Sequence, residues 1–101
     1  MKICITSLEE TLQSKIDSRF GRTEYFIIYD TKTQETEIIK NPYTEGGGAG
    51  TKASQLMIDK GVNLIISGGL GPNAKFAIKQ AGIKFQNADL TKSVEENIKN
   101  I

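Results

Sequence analysis

Val62-Asn63-Leu64-Ile65-Ile66 runs without interruption into Ser67-Gly68-Gly69-Leu70-Gly71-Pro72. The first part is a short apolar, β-branched run, the signature of a buried strand. The second is rich in glycine and ends on a proline, which suits the first turn of a helix. Ala74, Ala77, Ile78 and Ala81 then recur at i, i+3, i+4 and i+7, one face of that helix. Gly82 ends it and Ile83 to Phe85 begins another strand. A strand joined to the next strand through a helix runs parallel to it, with a right-handed crossover.

The pattern extends upstream. Thr51 is read as the N-cap of a helix carrying Ala53, Leu56 and Met57, with Gly61 as its C-terminal stop. Ile3-Cys4-Ile5 reads as a first buried strand. Tyr25 to Tyr29 and Thr36 to Lys40 read as a hairpin, halted by Asn41-Pro42. Between the first strand and the hairpin lies a long connection, Leu8 to Glu24. Downstream, Thr91 is read as the cap of a last helix whose Val94, Ile98 and Ile101 share a face. The order is βββαβαβα. It predicts a three-layer α/β/α domain over residues 1–101 of the ribonuclease-H-like type. The expected five-stranded mixed sheet has order 3-2-1-4-5, with only strand 2 antiparallel.

Such a sheet has a switch point between strands 1 and 4, where the chain leaves in opposite directions. Ligands in open α/β sheets favour the crevice beyond the carboxyl ends of the strands there. Thr6, Ser7 and Ser67 occupy those ends. Gly68, Gly69 and Gly71, followed by Asn73 in the first helical turn, offer backbone amides and a positive dipole end to an anion. The structural alternative is a tight strand-to-helix turn that needs positive φ, and Gly69→Val is expected to abolish binding and lower stability through sterics and any positive φ. The loop Glu45-Gly46-Gly47-Gly48-Ala49-Gly50 precedes the Thr51 helix, so Gly48, Gly50 and Thr51 are candidates for the same crevice. Arg19 and Arg22 bracket Phe20-Gly21 in the long connection and would complement an anion.

Composition narrows the chemistry. Thirteen basic residues offset twelve acidic ones in the 101-residue chain, and a net charge of +1 gives no reason to expect binding to nucleic acid or membrane. There is no histidine and one cysteine, which removes the commonest general base and a self-contained zinc site. Cys4 between Ile3 and Ile5 reads as a packing residue. A two-metal nuclease needs clustered carboxylates, and strand 1 offers Cys4 where an acid would stand. The lone thiol and the early charges Glu9 and Glu10 fit a cytoplasmic protein without a leader. The expectation is a binding module and not an enzyme.

Asp17-Ser18-Arg19-Phe20-Gly21-Arg22 followed by Tyr25-Phe26 resembles the FGR…YF signature of the nitrogenase iron–molybdenum cofactor biosynthesis family. Asn41-Pro42, the glycine loop, Gly61-Val62, Gly68 to Ala74, Ala81-Gly82-Ile83 and Thr91 to Asn97 are similar to its remaining segments in order. The resemblance implies the same ribonuclease-H-like fold. It also implies binding, carriage or storage of a molybdenum- or iron-containing sulfide cluster, with metallocofactor-assembly proteins as partners. The chain departs from the family in having no histidine, a residue thought to hold the cluster in some members. A polyanionic thiometallate would then rest on backbone amides, Thr6, Ser67 and the arginines.

A competing reading comes from Gly69-Leu70-Gly71-Pro72-Asn73-Ala74, which fits G-x-G-x-x-A after a strand, with Asp89 about 20 residues on. That is a nucleotide-binding fingerprint, although it follows the fourth strand and leaves too little chain for a two-half dinucleotide fold. A regulatory or interaction domain is the third reading.

Overall fold

A computed structural model describes residues 1–101. The strands are β1 (Lys2–Ser7), β2 (Tyr25–Asp30), β3 (Thr36–Lys40), β4 (Leu64–Ser67) and β5 (Lys84–Asn87). The helices are α1 (Ala49–Asp59), α2 (Pro72–Gln80) and α3 (Val94–Lys99). The sheet order is β3-β2-β1-β4-β5, as the sequence predicts. β2 is antiparallel to both β1 and β3, while β1, β4 and β5 are parallel.

Alternation along the strands builds two cores from one sheet. Cys4, Phe26, Ile28 and Ile65 face α1 and α2, where they meet Ala53, Met57, Ala74 and Ile78. Ile3, Ile5, Ile27, Leu64 and Ile66 face the other way, toward Val94 of α3 and Ile16 of the long connection. α2 has nine residues and α3 six, too short to be stable as isolated helices. Burial of these apolar stripes is what holds them.

The long connection is ordered. Leu8 N–H donates to the Lys15 carbonyl and Asp17 N–H to the Thr6 carbonyl, so the segment folds back along the end of β1. Phe20 then drops into the core, its ring 5.8 Å from that of Phe26 in an edge-on arrangement.

Two helix starts differ from the sequence reading. Thr51 lies inside α1, whose N-cap is Gly48 in a left-handed conformation (φ 74°). The cap of α3 is Ser93 and not Thr91. Ser93 accepts from Glu96 N–H while the Glu96 carboxylate accepts from Ser93 N–H, a complete capping box. Thr91 instead donates to Asp89 through its hydroxyl and its amide. Ile101 lies beyond α3 and is exposed.

Candidate functional site

α1 and α2 run side by side and both begin at the same end of the molecule. A Cβ built on Gly50 would lie 3.4 Å from the Ala74 Cβ, so the two first turns touch. The segment Ser18 to Arg22 closes the third side. A cavity of about 500 Å³ lies between them. Arg19, Arg22, Gly48, Gly50, Thr51, Gly69, Gly71 and Asn73 all line it. Ser18, Phe20, Gly21, Ala49, Leu70, Pro72 and Ala74 complete the wall.

Neither helix is capped here. Gly48 and Gly71 are the N-caps, neither supplies a side-chain hydrogen bond, and neither first turn contains an acid. The amides of Gly50, Thr51, Asn73 and Ala74 have no hydrogen-bond partner within the chain. A helix start normally satisfies such donors with a side chain or water. α3, away from the crevice, does so with Ser93 and places Glu95 and Glu96 in its first turn. The cavity therefore collects two positive dipole ends without a compensating carboxylate.

The two arginines have different roles. Arg19 donates from Nε to Asp17 Oδ1 and from Nη2 to Asp17 Oδ2, each at 3.0 Å. Asp17 also accepts from the amides of Arg19 and Glu24. Burial pushes the Asp17 carboxyl up, but the Arg19 fork and the two amides outweigh it and hold it below the usual carboxylate range. Arg19 is thus a neutralised corner post. Arg22 has no carboxylate partner. It donates from Nη1 to the Thr44 carbonyl at 2.7 Å and from Nη2 to the Gly46 carbonyl at 2.6 Å. Its positive charge stays uncompensated at the rim while it clamps the glycine loop.

Four candidates lie beneath the crevice. Thr6, Ser7 and Ser67 are fully buried. Thr6 donates to the Asp17 carbonyl at 2.6 Å, and the Ser67 hydroxyl lies 2.9 Å from that of Thr6. Ser7 donates to the Glu9 carbonyl. Gly68 packs under Ser18, where a Cβ would come within 2.6 Å of the Ser18 Cα. These residues tie the ends of β1 and β4 to the Asp17–Arg22 corner and do not face the cavity.

The glycines also act differently from the sequence reading. None of Gly68, Gly69 and Gly71 has positive φ. A Cβ at Gly69 or Gly71 would meet nothing within 4 Å, so neither position demands glycine on steric grounds. The close approach the site depends on is at Gly21, which the sequence reading did not single out for this. A Cβ there would lie 2.7 Å from Gly50 N and 2.9 Å from Gly50 Cα. Backbone packs on backbone, and the arginine corner is drawn against the start of α1. Asn41 secures the corner from behind by donating to the carbonyls of Gly21 and Thr23. The signal in the sequence was Gly21 between Phe20 and Arg22; what it packed against was not visible there.

Along its whole length, residues 1–101, the chain matches the family described as dinitrogenase iron-molybdenum cofactor. It belongs to that family. It is 38% identical over 90 residues to an uncharacterized protein of Methanocaldococcus jannaschii, covering 85% of this chain and 75% of that one. The fold is similar to the apo form of the orange protein from Desulfovibrio gigas. There the TM-score is 0.90 and the identity 31%, covering 98% of this chain and 84% of that one. A Thermotoga protein proposed to be NifB gives a TM-score of 0.85 and 36% identity, covering 97% of this chain and 84% of that one.

The donor set has a definite chemical character. No aspartate, glutamate or cysteine lines the crevice, and the chain has no histidine. No cluster of three or more metal-ligating side chains occurs in the fold. Cys4 is fully buried in the centre of the sheet, and burial pushes its thiol up so that it stays protonated. The lining fits an anionic metal–sulfur cluster, which N–H donors and a guanidinium would hold without protein–metal bonds. The Asp89 of the nucleotide fingerprint is engaged with Thr91 and is not part of the crevice wall. No helix is long and apolar enough to cross a membrane.

Proposed function

We propose that this chain is a binding and carrier module for an anionic metal–sulfur cluster containing molybdenum, iron or both. On this reading residues 1–101 act as one domain, accessory to metallocofactor assembly or storage, and are not an enzyme. The observation that carries the reading is the pair of uncapped helix starts, at Gly48 and Gly71, opening into one acid-free cavity. The volume lies in the range of small-ligand sites, roughly 300–1,000 Å³. Arg22 supplies the free cation, and Gly50, Thr51, Asn73 and Ala74 supply amides. The family membership supports a cluster over a simple oxyanion. Metallocofactor-assembly proteins are the partners such a carrier would serve.

The test is an anaerobic titration with tetrathiomolybdate, followed by absorption spectroscopy and calorimetry. One equivalent per chain should bind, with competition from molybdate at higher concentration. No saturable binding of either anion at millimolar concentration would overturn the proposal.

A further inference from the structure

α2 and the edge strand β5 enclose a second cavity of about 620 Å³. Its floor is apolar and consists of Leu70, Ile78, Ile83 and Phe85. β5 is the last strand of the sheet, and Phe85 on it is half-buried. Lys75 and Lys79 stand along the α2 wall, and Asn87 lies at the end of β5. None of the nine lining residues is acidic, and neither lysine belongs to an ion pair.

We infer that this groove binds a small organic anion with an apolar body, such as an aliphatic or aromatic carboxylate. The two ends of such a ligand match two parts of the groove. An apolar body covers the half-buried Leu70 and Phe85, with the buried Ile78 and Ile83 behind them. The charged end meets Lys75 and Lys79, whose stems flank the floor while their ammonium heads stay at the rim. The two lysines are four residues apart on α2, and the helix contains no acid. Like charges at that spacing repel, and a bound anion relieves the repulsion. An inorganic anion has no use for the apolar floor, which distinguishes this groove from the crevice. Gly69 and Leu70 line both cavities, so the groove shares a wall with the crevice without sharing its amides.

The experiment is an amide NMR titration with octanoate, run in parallel with the neutral isostere octan-1-ol. Octanoate should give saturable shifts centred on Leu70, Gly82, Ile83, Phe85 and Asn87, and bind at least tenfold more tightly than octan-1-ol. The double variant K75Q/K79Q, altered only at exposed positions, should fold normally and erase that difference. Tetrathiomolybdate should shift Gly50, Thr51 and Asn73 instead, so failure at one cavity is separable from failure at the other. Equal binding of octanol and octanoate would overturn the assignment. So would shifts spread over the exposed Ile38, Ile58 and Phe76. Sedimentation of the protein with phosphatidylglycerol vesicles, without saturable octanoate binding, would replace a soluble ligand by a lipid surface and also overturn it.

Discussion

Arg19 grips Asp17 in a two-pronged fork, with Nε and Nη2 each 3.0 Å from a carboxylate oxygen. The carboxylate is buried and the guanidinium half-exposed. The pair fixes the turn from which Phe20 enters the core and Arg22 reaches the glycine loop. An arginine expected to meet the ligand is therefore first a support for the chain beside it.

Asp17→Asn should be destabilised by about 1–3 kcal/mol at neutral pH, because the amides of Arg19 and Glu24 lose a charged acceptor. The folded-state pKa lies below the unfolded one. The stabilisation is therefore fully present above the unfolded value, about 3.9, and is lost as pH falls through the folded value. Thermal melts of wild type and variant should differ at pH 7 and converge only once the pH has fallen below the depressed folded-state value. A gap that persisted unchanged into acid would assign the effect to packing.

Arg22→Ala should weaken tetrathiomolybdate binding by roughly tenfold or more and reduce its salt dependence. Arg19→Ala should act mainly on stability, since its charge is balanced by Asp17. Calorimetry at two ionic strengths separates them. Equal losses of affinity, with equal salt slopes, would mean that the contrast between the arginines is wrong.

Gly21→Ala should lower stability by about 1–3 kcal/mol and abolish anion binding, because the added methyl meets Gly50 backbone at 2.7 Å. Gly69→Ala should change stability by no more than about 0.5 kcal/mol, with open space around its Cβ and no positive φ. Chemical denaturation of both variants checks this. A Gly69 variant as unstable as the Gly21 variant would restore the sequence-based view of that turn.

Gly71→Asp should raise stability and destroy binding together. Gly71 has the extended backbone of an N-cap, and an aspartate there would satisfy first-turn amides of α2. The gain should be about 0.5–1 kcal/mol from capping and dipole. The same carboxylate would occupy the donors and repel an anion. A stabilised variant that still bound tetrathiomolybdate at wild-type affinity would show that the α2 start is not part of the site.

Cys4 should resist thiol reagents in the folded protein at pH 8 and react only on unfolding, since it is fully buried and its thiol is pushed up. Cys4→Ala should cost about 1–2 kcal/mol through lost core contacts and leave anion affinity unchanged. A loss of affinity at constant melting temperature would make the thiol a ligand.

The apolar alternation of Tyr25 to Tyr29, the helix faces of Ala53–Met57 and Ala74–Ile78, and the glycines ending α1 and α2 determine the element order. With the handedness of parallel crossovers, that order determines the sheet and its switch point. These signals are local or topological, so a sequence carries them. The roles of individual crevice residues are set by contacts between distant segments. Gly21 meets Gly50, Gly50 approaches Ala74, and Arg22 reaches Thr44 and Gly46 only after three separate loops have been brought together. The ends of β1 and β4 looked like ligand groups because they lie at the switch point. The fold turns Thr6, Ser7 and Ser67 inward instead: the Thr6 hydroxyl donates to the Asp17 carbonyl and pairs with that of Ser67, and the Ser7 hydroxyl donates to the Glu9 carbonyl. The sequence by itself determined that two glycine-rich segments precede two helices. Only the tertiary structure decided that both helices start uncapped at one cavity, because a capping partner is defined by what packs there and not by which residue comes next.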